Sequence, residues 1–319
     1  MIRFPKNGDK PTGKKTAFFV KKERADLTES PKQQSDSGCY DLIGDVHGYL
    51  NLLDSLVEQL GYSKKGKSYE HPEGRKLIFV GDLINRGPDS VGVLKTVRET
   101  WEQGNAFLVL GNHEFKVLQL AAMKKPLPDP GYESFLPWLE SLPLFLDLEE
   151  IRVIHAAWHS SSVSFLLPNQ TPNDEFVRKT CDKNSSERQA VDRILMGVKA
   201  NLPKGSELRD RFGKVRPKGR LRWWEDLEGK PFSGALFSPM YGKAIEEMPD
   251  PEEIREVEPY PENDKPVFVG HYCLEPHVSK INANTACLDG CVTCDKKLWG
   301  YRHTKSSELT KANLVYAEY

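Results

Sequence analysis

The feature that most narrows what this chain can fold into is a unit that occurs three times between residues 39 and 122. A short apolar run enters a glycine, a loop carrying Asp, Asn or His follows, and apolar residues then recur at helical spacing. In the first copy Tyr40-Asp41-Leu42-Ile43 leads into Gly44, and Leu50, Leu53, Val57 and Leu60 line one side of a helix that ends at Gly61. In the second, residues 76–80 precede a loop over 81–88, and Val91, Leu94, Val97 and Trp101 mark a helix over 89–103. In the third, residues 106–110 precede Gly111-Asn112 and a helix through Ala122. Strand, loop, helix three times over predicts an α/β fold with central strands covered on both faces. Right-handed crossovers then put all three post-strand loops at one edge of the sheet, the edge at which ligands bind in open α/β folds.

Further on, residues 144–148 and 152–155 read as a hairpin around Glu149-Glu150. Val267-Phe268-Val269 reads as a strand before Gly270-His271, and short strands at 286–288, 297–302 and 314–318 close the pattern. Residues 160–265 are less patterned: a helical stretch over 187–199, a basic segment over 214–222, and an acidic, Pro-rich stretch over 246–262 expected to be a solvated loop. Residues 1–38 read as a loose polar tail with a candidate edge strand at 17–22. The expected organisation is therefore one domain over 39–319 with a variable insertion at about 160–265.

Composition excludes several classes. Lys and Arg number 45 against 46 Asp and Glu, a net charge of −1, so there is no strong nucleic-acid signal. With 38% hydrophobic and 29% charged residues the chain reads as globular, and no apolar run approaches the roughly 20 residues of a membrane helix. Residues 17–20 are too short for the core of a signal peptide, which makes the cytoplasm the expected compartment. Six cysteines are too few for a disulfide scaffold at this length. Cys273, Cys287, Cys291 and Cys294 read as buried free thiols, with a four-thiolate zinc site as the alternative.

The loops carry residues that packing alone would not select. They are Gly44-Asp45-Val46-His47-Gly48, Gly81-Asp82-Leu83-Ile84-Asn85-Arg86-Gly87 and Gly111-Asn112-His113-Glu114, and two later strands end in His155 and in Gly270-His271. Taken alone, each is an ordinary Asp- or Asn-stabilised turn or a core histidine. Together they put Asp45, His47, Asp82, Asn112, His155 and His271 at strand ends in one order. Asp45 and Asp82 are 37 positions apart, and Asp82 and Asn112 are 30 apart. One β-α-β passage takes about 30 residues, so these loops should be neighbours. Gathered carboxylates would repel one another unless cations held them, and six ligands with one shared carboxylate suit two. Oxygen and imidazole donors suit Mn²⁺ best, with Fe, Zn²⁺, Ni²⁺, Co²⁺ or Mg²⁺ also compatible.

G-D-V-H-G, G-D-L-I-N-R-G, G-N-H-E, H-A and G-H, in that order, resemble the calcineurin-like metallophosphoesterases. More narrowly they resemble the phosphoprotein-phosphatase superfamily, in motif detail its bacterial symmetrical diadenosine tetraphosphatases. The resemblance covers roughly residues 39–160 and 265–303. It implies a four-layer αββα sandwich with mixed central sheets. It implies Asp45 and His47 on one metal, Asp82 bridging, and Asn112, His155 and His271 mostly on the second. It further implies Arg86 gripping phosphate, Asn85 orienting His113, and His113 as general acid. Hydrolysis would then proceed by direct attack of a hydroxide shared by two divalent cations. Arg220 or Arg222 is the candidate second substrate arginine.

The sequence departs from the pattern in three places. Asn85 stands where protein phosphatases carry Asp, His155-Ala156-Ala157 replaces H-A-G, and Leu288-Asp289-Gly290-Cys291 is one residue short of L-D-T-G-C. These lean toward a phosphorylated small molecule or dinucleoside polyphosphate as substrate. A phosphoprotein substrate, and a metal-binding scaffold without catalysis, are the other readings.

Overall fold

The computed structural model describes residues 38–206, 208–237 and 241–319. The expected tail over 1–38, apart from Gly38, lies outside them, as does the candidate strand at 17–22. Along the chain come β1 (Tyr40–Ile43), the hairpin β2 (Ser63–Lys65) and β3 (Ser68–Glu70), β4 (Lys76–Phe79) and β5 (Ala106–Leu108). The hairpin β6 (Phe145–Asp147) and β7 (Arg152–Ile154) and the hairpin β8 (Lys199–Asn201) and β9 (Lys218–Arg220) follow. The last are β10 (Val267–Val269), β11 (Ile281–Asn282), β12 (Thr285–Cys287), β13 (Lys297–His303) and β14 (Leu314–Glu318).

Two five-stranded mixed sheets result, in the orders β14-β13-β1-β4-β5 and β11-β12-β10-β7-β6. Each has three adjacent parallel strands, β1-β4-β5 with β5 at the sheet edge and antiparallel β13 beside β1, and β12-β10-β7 flanked on both sides by antiparallel β11 and β6. The pleat explains the layering. Tyr40, Leu42, Ile78 and Val109 from one sheet meet Val153, Phe268, Ala286 and Leu288 from the other in a closed apolar layer. The alternate residues Ile43, Leu77, Phe79 and Leu108 pack outward with Leu53, Leu56, Val93 and Val97 of the helices Leu50–Gln59 and Ser90–Glu102. On the far side Ile154, Val267 and Val269 join Val163, Val191 and Ile194 of the helices Ser160–Leu166 and Ser186–Met196. The order helix, sheet, sheet, helix is the expected one.

The alternation puts one carboxylate among the outward-facing residues of β1. Asp41 is fully buried and accepts bonds from Arg75 Nε (2.8 Å) and Nη2 (3.0 Å), Tyr62 Oη (3.0 Å) and Arg302 Nε (3.0 Å). Arg75 also reaches the carbonyls of Tyr40 and His303, so one ion network ties β1, β13 and the 62–75 segment together.

Three expectations are corrected here. The helical reading over 187–199 runs too far: Gly197 at φ +73° ends the helix at Met196, and Lys199 opens β8. The acidic stretch is no free loop, because it holds the helix Pro251–Arg255, buries Val257 and Tyr260, and pairs Glu253 with Asn201 and Glu256 with Arg193. The four late cysteines do not share one site. Cys273 and Cys291 form a disulfide and the Cys294 sulfur lies 3.0 Å from that of Cys291, whereas the buried Cys287 thiol faces the Gly270 carbonyl. Among the described residues no helix is long and apolar enough to cross a membrane.

Candidate active site

All six parallel strands end on the same kind of feature, a loop that carries polar side chains. From β1, β4 and β5 come Asp45 and His47, Asp82 to Arg86, and Asn112 to Glu114. From β7, β10 and β12 come His155, His271 and Asp289. The backbone is bent to aim them: His47, Asp82, Asn85, Arg86 and His271 all sit at φ between +46° and +73°, a region costly for residues with a Cβ. Glycines let the loops close on one another. A Cβ on Gly81 would stand 2.6 Å from Gly111 Cα, and one on Gly270 would stand 1.9 Å from Asp45 Oδ1.

Asp82 is the centre, nearly fully buried. His47 Nε2 lies 3.8 Å from its Oδ2, and His155 Nε2 3.5 Å from its Oδ1. His113 Nε2 stands 3.9 Å from Oδ2, while the His113 backbone N–H donates to Oδ1 at 2.9 Å. Two groups of donor atoms thus share Asp82: His47 with His113, and His155 with His271, each group within 4.8 Å. Asn112 Oδ1 is 3.2 Å from His155 Nε2, and Asp45 accepts the His271 backbone N–H at 3.0 Å.

Backbone carbonyls orient the imidazoles. His47 Nδ1 donates to Ile84 O (3.0 Å) and His155 Nδ1 to Val80 O (2.8 Å), which leaves each Nε2 lone pair facing Asp82. His271 Nε2 is buried with no hydrogen-bond partner. Burial, reinforced by Asp289 and Asp82, holds the Asp45 carboxyl well above the usual range. Against burial, His155, His113 and His47 hold Asp82 well below it. Burial, with Arg220 and His155, keeps His271 neutral. Lone pairs without protons and carboxylates that repel one another fit divalent cations, so the donor set suits a dinuclear centre.

His113 is held from its other side. Tyr132 Oη donates to Asn85 Oδ1 (3.1 Å), which turns Asn85 Nδ2 to donate to His113 Nδ1 at 2.8 Å. With Nδ1 accepting, the neutral ring carries its proton on Nε2, an assignment made from the hydrogen-bond network. Burial, joined by His47, Arg86 and His155, brings His113 down to about 4.

The structure separates the two candidate substrate arginines. Arg222 is taken by Glu225 and the Leu236 carbonyl, so it is not aimed at the cluster. Arg220 has its charge close enough to His271 to be the largest influence there after burial. Lys199 lies directly opposite Arg220 across β8 and β9, and burial with that neighbour brings it down to about 8. Lys199 was missed because its sequence position reads as the end of a helix.

Glu114 was missed too. Its buried carboxylate accepts four backbone N–H groups, from Asp82 (2.8 Å) and Gly111 (3.0 Å) on one oxygen and from Leu83 (2.9 Å) and Ile84 (3.2 Å) on the other. The signal was the third-residue Glu of a helix start, which reaches back to the cap. Glu114→Gln puts an amide nitrogen against two N–H donors, and is expected to cost about 2–4 kcal/mol. Thermal denaturation beside wild type measures the loss.

A profile of the calcineurin-like phosphoesterase family matches residues 41–274. The chain belongs to the calcineurin-like phosphoesterase family. That family uses a dinuclear metal site, and the donor set described above suits one. Among curated relatives, the chain is 35% identical over 135 residues to the bis(5′-nucleosyl)-tetraphosphatase PrpE [asymmetrical] of Oceanobacillus iheyensis, covering 36% of this chain and 54% of that protein. It is 40% identical over 115 residues to the same-named protein of Halalkalibacterium halodurans, covering 36% and 46%. The chain thus spans about half the length of the curated relatives it matches. A solved cold-active protein-tyrosine phosphatase of a Shewanella species is 14% identical, with TM-score 0.47 and coverage of 83% and 75%, too distant to bear on activity.

Proposed function

We propose that this phosphoesterase is a two-metal hydrolase of phosphoric ester and anhydride bonds, with a dinucleoside polyphosphate as its substrate class. One observation carries the reading: a single buried carboxylate, Asp82, is shared by the His47 ring nitrogen in one donor group and those of His155 and His271 in the other. Asp45 and His47 would hold one cation, Asn112, His155 and His271 the other, and Asp82 both. The oxygen and nitrogen donors favour Mn²⁺, and Fe, Zn²⁺, Ni²⁺, Co²⁺ and Mg²⁺ compete by availability. Bound there, the cations supply an activated water and the positive charge that the phosphoryl oxygens need as the bond breaks.

The chain's own residues do the rest. Arg86 grips the phosphoryl group with a fork that can take two oxygens. Arg220, paired with Lys199, adds positive charge near His271. His113, held by Asn85, presents Nε2–H toward the departing oxygen. Among the described residues neither Cys nor Ser stands in the cluster as a nucleophile, which supports direct hydrolysis. The activity for which the relatives are named supports the substrate class and refines it. An asymmetrical tetraphosphatase splits four phosphates unequally, whereas the motif detail alone leaned to the symmetrical type. We read residues 39–319 as one phosphoesterase domain into which 160–265 is inserted.

The test is metal-dependent hydrolysis of p-nitrophenyl phosphate and diadenosine tetraphosphate, compared with a phosphopeptide. Turnover of the phosphopeptide alone would reject the substrate class, and no turnover with any of the six metals would reject the activity. His113→Ala is expected to cost about 10²–10³-fold in kcat on an alkyl phosphate, whose leaving group needs a proton. The loss should be smaller on p-nitrophenyl phosphate, whose leaving group does not. Equal losses on both would remove His113 from that role.

A further inference from the structure

Outside the cluster, one exposed side chain is held where an exposed side chain usually wanders. Residues 209–215 form a tight turn, closed by the Arg209–Val215 bridge and by the Asp210 N–H donating to Lys214 O at 3.0 Å. Asp210 Oδ1 accepts the N–H groups of Phe212 (2.9 Å) and Lys214 (3.0 Å), and its other oxygen accepts from Arg216 Nε (2.6 Å). At the tip Arg211 makes two bonds to Asp295 (2.6 and 3.0 Å) and one to Leu274 O (3.1 Å). Leu274 lies three residues past His271, and Asp295 ends the short helix that follows Asp289 and Cys291. The turn is therefore fastened to two of the loops that build the site.

The next residue along, Phe212, is 52% exposed, and the guanidinium carbon of Arg86 lies 5.3 Å from its ring centroid. One side of the ring is engaged by the cation and much of the rest faces solvent. Of the Trp and Tyr residues over 220–275, Trp223, Trp224, Tyr260 and Tyr272 are buried in the core, and the exposed Tyr241 donates its hydroxyl to Glu275. Among the described residues, Phe212 is an open aromatic that stands against Arg86.

We infer that Phe212 is a stacking platform for the nucleobase of a nucleotide whose phosphate is held at Arg86. This rests on the proposed role of Arg86 as phosphate ligand. A nucleotide carries its base one sugar away from its phosphate, and Phe212 stands one cation–π contact away from the guanidinium. Stacking on an aromatic face is tolerant of base identity, so the platform selects for nucleotides over other phosphate esters without reading adenine from guanine.

Calorimetric titration of the Mn²⁺-loaded full chain with AMP and with inorganic phosphate tests this without depending on turnover. Phe212→Ala is expected to weaken AMP about tenfold and phosphate less than twofold, as loss of one stacked base does. Phe212→Trp should restore AMP binding, and Phe165→Ala, at an exposed aromatic on the helix Ser160–Leu166, should leave it unchanged. In kinetics, kcat/KM for diadenosine tetraphosphate should fall in Phe212→Ala while that for tripolyphosphate, which has no base, holds. If AMP binds wild type no more tightly than phosphate, or Phe212→Ala weakens both alike, the platform is wrong. It is equally wrong if the loss falls on a phosphopeptide instead of AMP. Phe212-dependent AMP binding in a protein that does not cleave the dinucleotide would support the platform and reject the proposed substrate.

Discussion

Asp82→Asn is expected to abolish turnover, with kcat on p-nitrophenyl phosphate down roughly a thousandfold or more and less than one equivalent of metal retained. The size follows from where the side chain sits. Asp82 is the one carboxylate shared by both donor groups, within 3.5–3.9 Å of three imidazole Nε2 atoms. Asparagine keeps the shape and can still accept the His113 N–H, but it brings no negative charge to offset two cations. Several kcal/mol of transition-state stabilisation depend on those cations, and each 1.36 kcal/mol is about tenfold in rate. The variant should fold, because it also relieves repulsion between Asp82 and Asp45. Near-normal thermal stability with lost activity and lost metal is the expected signature. Activity within tenfold of wild type would mean that Asp82 bridges nothing.

The second large effect lies away from the cluster. Asp41→Ala is expected to destabilise the protein by about 3–5 kcal/mol, the cost of removing one partner of a buried ion network. The substitution strands Arg75, itself only 8% exposed, and takes the acceptor from Tyr62 and Arg302. For a domain of this size that corresponds to a fall in Tm of roughly 10 °C. Because β1 carries Asp45 and His47 on its following loop, metal affinity should fall with stability. A Tm within about 2 °C of wild type would show that the network contributes specificity and little stability.

Much of the architecture was legible because apolar spacing and glycine placement answer to backbone geometry. The runs at 40–43, 76–80 and 106–110 had to be buried strands, and glycines at their ends had to be turns, so the convergence of Asp45, Asp82 and Asn112 followed from crossover handedness. What escaped reading depends on contacts across the chain. The left-handed backbone at His47, Asp82 and His271 is imposed by neighbouring loops, and nothing in the local sequence demands it. Glu114 was given no role by its sequence position, and only the packed loops reveal that it fixes the Asp82 backbone. Lys199 was hidden because a helix and a strand meet at Gly197, where helical spacing continues past the point at which the backbone turns, whereas Arg220 was legible as a candidate and only the structure separates it from Arg222. The acidic stretch over 246–262 looked solvated by composition, yet three of its carboxylates, Glu253, Glu256 and Glu258, engage Asn201, Arg193 and the Ser161 N–H.

The most direct test is metal counting on the full-length protein by mass spectrometry, with p-nitrophenyl phosphate turnover followed on the same sample as Mn²⁺ is added back. The gathered donors around Asp82 predict two ions per chain and activity that rises with the second. Saturation at one ion, or undiminished turnover in metal-stripped protein, would contradict the account.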